Sequence, residues 1–128
     1  MNLIITDGGK REAGIYDAMD CTVRALAIAL DIPYYQAHKL MRERAGRKNW
    51  KGTGASEVVA ALKDIGLEFN AVQGSFYRWS LSHKQGTYYV MMRKRRKLGH
   101  AIAIKDGVIY DDGPLAKGWT MMLAAKIK

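Results

Sequence analysis

The ten residues Cys21-Thr22-Val23-Arg24-Ala25-Leu26-Ala27-Ile28-Ala29-Leu30 restrict this chain more than any other stretch. Alanine and leucine favour helix, and Asp20 ahead of them is a residue type that caps one. The helix they predict is apolar on nearly every side, so it needs neighbours all round to keep it from water. It therefore belongs at the centre of the molecule. With 128 residues, 48% of them hydrophobic, the chain is long enough to build that centre as one domain over residues 1–128.

Around that helix the pattern divides in two. Before it, Leu3-Ile4-Ile5 is a short apolar piece and Asp7-Gly8-Gly9 is turn chemistry, in a segment expected to wrap over the domain. After it, Pro33 fits the first turn of a second helix with Ala37, Leu40 and Met41 inward, residues 46–54 read as loop, and Ala55 to Ile65 reads as a third amphipathic helix stopped by Gly66. From Leu67 the period shortens to two. Leu67 to Val72 alternates like a strand, and Phe76 to Trp79 reads as a cover for an edge or a loop. Thr87 to Met92, Ala101 to Lys105 and Gly107 to Tyr110 read as strands, the last two joined by an Asp106-Gly107 hairpin turn. Helices first and strands afterwards predict an α+β fold, with the Cys21 helix packed on a C-terminal antiparallel sheet.

Cys21 is the sole cysteine, so no internal disulfide can form. At a helix N-terminus its thiol meets unpaired N–H groups and the positive end of the helix dipole, and both favour thiolate. A nucleophilic thiol needs a base, and the base needs a third group to hold its ring. Gly99-His100-Ala101 puts a histidine at the head of one strand, and Tyr110-Asp111-Asp112 ends the next, with either aspartate able to face His100. His38 and His83 are read as surface residues without a role. No cofactor and no metal is expected, because no further ligand at short spacing joins Cys21, His100 and Asp111 into a zinc set.

The formal charge of +9 favours acidic or phosphate-bearing partners. Its densest run, Arg93-Lys94-Arg95-Arg96-Lys97, falls where a hairpin turn is expected, and it is either a solvated turn or a patch for nucleic acid or an acidic partner. Trp50 among Arg47, Lys48 and Lys51, and Phe76-Tyr77-Arg78-Trp79, mix aromatic and cationic groups as single-strand binders do. No apolar run approaches the ~18 residues of a membrane span, and a cytoplasmic location without membrane contact is expected.

Three segments resemble the papain-like cysteine peptidase fold, in particular its small bacteriocin-processing branch: Asp20-Cys21 leading an apolar helix, Thr87-Tyr88-Tyr89-Val90 before Gly99-His100-Ala101-Ile102-Ala103-Ile104, and Asp106-Gly107-Val108-Ile109-Tyr110-Asp111. The opening Thr6-Asp7-Gly8-Gly9-Lys10 to Gly14, with Asp20-Cys21 and Arg24-Ala25, is similar to phage and prophage proteins of that fold. The resemblance implies a nucleophile at Cys21, a base at His100 and an orienting acid at Asp111, acting on a peptide, isopeptide or other amide, in the host cytoplasm if phage-encoded. The chain departs from the family in one place. Papain-like enzymes carry a glutamine shortly before the nucleophile as an oxyanion donor, and Gly14 to Met19 contains none. The donor must then be backbone N–H, including that of Cys21, or the Tyr16 hydroxyl, and loss of one good donor costs ~10²–10³ in rate. The alternative is a non-catalytic basic module on the same fold that grips a host protein or nucleic acid.

Overall fold

The computed structural model describes residues 2–49, 51–94 and 99–128. In chain order the elements are β1 (Leu3–Ile5), α1 (Lys10–Ala13), α2 (Cys21–Leu30), α3 (Tyr34–Ala45), α4 (Ala55–Lys63), β2 (Asn70–Ala71), α5 (Phe76–Leu81), β3 (Thr87–Arg93), β4 (Gly99–Lys105), β5 (Val108–Asp111) and β6 (Thr120–Ile127). The strands form one six-stranded sheet in the order β1-β5-β4-β3-β6-β2. The architecture is mixed α+β. Among the described residues, no helix is long and apolar enough to cross a membrane.

Strand alternation makes two cores from one sheet. Tyr89 and Met91 of β3, with Ala101 and Ala103 of β4 and Ala125 of β6, face α2, α3 and α4. The small alanines on this side let the backbone of α2 come close, and Val23 and Leu26 of that helix are fully buried there. Val90, Met92, Ile102, Ile104 and Ile109 face the opposite way, where Phe76 and Trp79 of α5 cover them. Each large side chain taken out of water in this way contributes about 1.5–3 kcal/mol. The apolar α2 thus lies where its composition requires, under two further helices on one face of the sheet.

The hairpin between β4 and β5 turns through Asp106 at φ 48° and Gly107 at φ 80°, two successive positive-φ residues. That fits the twist of a two-residue β-hairpin. At the other end of the chain, Gly8 at φ 72° lies so close to α2 that a Cβ there would meet the Arg24 carbonyl oxygen at 3.2 Å. Only glycine fits that approach.

Several elements differ from the sequence expectation. Leu3–Ile5 is a strand that pairs with β5 in parallel, so the sheet is not wholly antiparallel. Phe76–Leu81 is a helix capped by the Ser75 side chain, which accepts from the Arg78 N–H. The third helix ends at Lys63, and only Asn70–Ala71 of the stretch from Leu67 to Val72 pairs, with β6. The strand Thr120–Ile127 has no counterpart in the sequence reading, yet it pairs with β3 along that strand's whole length, with a shift of register between Met91 and Met92.

Candidate active site

Cys21 is the first residue of α2, and that end of the helix reaches the start of β4. The Tyr89 hydroxyl, donating to the Thr22 carbonyl at 3.0 Å, ties the first helical turn to β3. His100 is the second residue of β4, and its Nε2 lies 2.7 Å from Asp111 Oδ2 at the end of β5. The Cys21 thiol lies close enough to His100 for each to shift the titration of the other. The β4–β5 pairing, with Ala103 opposite Tyr110, brings the acid beside the base. Parallel pairing with β1 holds the acid's backbone through the Thr6 N–H, which donates to the Asp111 carbonyl at 2.8 Å.

Of the two adjacent aspartates, Asp111 faces the histidine. Its second carboxylate oxygen accepts from the Asp112 N–H at 2.8 Å, which fixes the plane of the group. Asp112 turns instead to Arg24, 3.3 Å away. Trp119 lies over the imidazole with ring centroids 5.6 Å apart, shielding one face of it from water.

The three titrating groups shift one another. Burial pushes the Cys21 thiol up, but hydrogen bonds from His100 and the Ala101 backbone, with the positive charges of His100 and Arg24, bring it below its ordinary value. Burial disfavours the His100 cation, yet the hydrogen bonds and charges of Asp111 and Cys21 raise its pKa to about 9. Burial also opposes the Asp111 anion, and the same contact with His100 outweighs it, holding the carboxyl below the usual range. These directions favour thiolate at Cys21 and imidazolium at His100, beside the Asp111 carboxylate.

Asp20 departs from its expected part. It precedes the helix, but its side chain makes no capping hydrogen bond. Fully buried, its carboxylate instead binds Arg24, accepts from the Tyr34 hydroxyl at 2.5 Å and meets Lys10 at 3.4 Å. Burial and that carboxylate together hold the Tyr34 phenol protonated. The negative charge beside the nucleophile is thereby offset by two cations. The Asp20–Arg24 spacing of four on a helix was the available sequence signal for this pair.

His38 is not a surface residue. It is buried with Asp17, its Nε2 lying 3.0 Å from Asp17 Oδ2 and 3.1 Å from Asn49 Oδ1. Arg47, also buried, donates to Asp17 Oδ2 at 2.6 Å. His83 is half-buried and stacks on Trp79 with centroids 4.2 Å apart.

Cys21, His100 and Arg24 open onto a cleft of about 800 Å³, walled by Met19, Gly52 to Ala55, Met92, Arg93 and Met122. Tyr16 does not line it, and this residue is largely exposed. A second groove of about 560 Å³ shares Arg93 and Met122 with the first. Of the basic run, Arg93 and Lys94 are described, whereas Arg95, Arg96 and Lys97 lie outside the described residues, as does Trp50. Among the described residues, no group of three or more His, Cys, Asp and Glu side chains is arranged to hold a metal ion. In comparison with known proteins, no family model matches the chain and no curated protein matches it.

Proposed function

We propose that this protein is a papain-like cysteine hydrolase that cleaves an amide bond through an acyl-enzyme on Cys21. The observation that carries the reading is one imidazole that lines the cleft together with the Cys21 thiol and lies 2.7 Å from a carboxylate. The Cys21 thiolate attacks the substrate carbonyl carbon, a C–S bond forms and the π electrons move to the carbonyl oxygen. The oxyanion then collapses, the C–N bond breaks, and the leaving amine takes the proton from His100. Neutral His100 next removes a proton from water, which attacks the thioester and returns Cys21 as thiolate. Asp111 keeps the ring in the orientation that serves both steps. The exposed guanidinium of Arg93 on the cleft wall supports an acidic group on the substrate.

The acyl-enzyme is the testable intermediate. Incubation with p-nitrophenyl acetate at pH 6, where an ordinary thiol is almost wholly protonated, is expected to add one acetyl group to Cys21 in intact-protein mass spectra. The adduct should decay by hydrolysis and be missing in Cys21→Ser. A protein that stays unmodified at pH 6 would contradict the reading.

A further inference from the structure

Catalysis through a tetrahedral intermediate needs donors aimed at its oxyanion, and the segment before Cys21 has no glutamine to provide one. Resting on the hydrolase reading above, we propose that the donors are the backbone N–H groups of Met19 and Cys21, and that Arg47 is the positioning residue that turns the Met19 N–H into the cleft. Among the described residues, neither N–H group donates a hydrogen bond. The Asp20 carboxylate, at the N-cap position, caps no helical N–H and is held by Arg24 and Tyr34 instead.

The backbone has the form that gathers such groups. Met19 is left-handed at φ 54°, and Asp20 follows at φ −109° and ψ 26°. A left-handed residue next to one near the right-handed helical region makes successive N–H groups converge on a concavity that suits an anion. Arg47 holds that form from behind. Its Nη2 donates to the Ala18 carbonyl at 3.1 Å and meets the Met19 carbonyl at 3.5 Å. In a trans peptide the N–H points opposite to the C=O, so the Met19 N–H faces away from Arg47. Met19, Asp20 and Cys21 line the cleft, and Arg47 does not.

A separate observation marks the same spot as a place for a ligand. Thr22, next on the helix, is 6% exposed and lines the cleft, and its hydroxyl oxygen has no partner among the described residues. A buried hydroxyl left unpaired is costly, and a substrate oxygen in the cleft is the group that would satisfy it. Arg47 itself is kept in place by the buried Asp17, so the donors depend on an ion pair formed far along the chain.

The test separates two reactions of the same thiol. Alkylation by iodoacetamide needs only the thiolate, whereas acylation by p-nitrophenyl acetate passes through an oxyanion. Met19→Pro removes one donor and forbids the left-handed φ, and Arg47→Lys keeps the charge beside Asp17 while losing the fork that reaches two carbonyls. Acylation should fall by ~10² in Met19→Pro and ~10 in Arg47→Lys, with alkylation of Cys21 within about twofold of wild type. If alkylation persists and acylation is also unchanged in both variants, the donor assignment is wrong while the hydrolase reading stands. Equal loss of both reactions in Arg47→Lys would make Arg47 merely structural and overturn its assignment. A wild-type protein that alkylates but never acylates overturns the hydrolase reading and the donor assignment with it.

Discussion

Two histidine–aspartate pairs flank the start of α2, and they differ in almost everything except the residues that make them. His100 and Asp111 are 2.7 Å apart, and His100 lines the cleft together with the Cys21 thiol. His38 and Asp17 are 3.0 Å apart in the interior, with Arg47 and Asn49 filling the remaining contacts. In the first pair the raised pKa of the imidazole favours the cation that would balance the carboxylate and the sulfur. In the second the guanidinium already balances the carboxylate, and the pair holds a loop. A histidine–aspartate contact is therefore not chemistry by itself; the third partner and access to substrate decide what it does.

Removing the acid from each pair should expose the difference. Asp17→Ala leaves the Arg47 charge buried without its partner, and stability measured by urea unfolding should drop by about 3–5 kcal/mol. Asp111→Asn should act on reactivity instead. Without the carboxylate charge the His100 pKa falls from about 9 toward the ordinary ~6.5, so the alkaline limb of acylation moves down. A loss of roughly tenfold at pH 8.5 with little change at pH 6 is the expected profile, read from initial acylation rates. The folding linkage has the same sign. Because folding raises the His100 pKa, the stability this proton brings is complete below about pH 6.5 and is lost as pH rises through about 9. A flat profile in both variants would remove the distinction between the pairs.

The pair beside Cys21 is legible in the sequence and the buried pair is not, for a physical reason. A lone cysteine heading an apolar helix, a histidine opening a strand and an aspartate closing the next are each marked by a secondary-structure boundary that local pattern reveals. Arg47 lies in a stretch of cations within residues 46–54 that reads as loop, and only its long-range contact with Asp17 takes it inside. His38 follows it inward for the same reason. Strand β6 is hidden because Thr120-Met121-Met122-Leu123-Ala124-Ala125-Lys126 carries few β-branched residues, and its place beside β3 outweighs its weak intrinsic preference. The central helix and the Asp106-Gly107 hairpin, where composition and turn chemistry agree with the tertiary fold, are the parts the chain discloses most directly.

The most direct test of the central claim is the rate of Cys21 alkylation by iodoacetamide as a function of pH, in wild type and in His100→Ala. A thiolate held by imidazolium predicts half-maximal reactivity well below the ~8.5 of a free thiol, moving upward when the ring is removed. A wild-type profile centred near ~8.5 and unchanged in His100→Ala would contradict it.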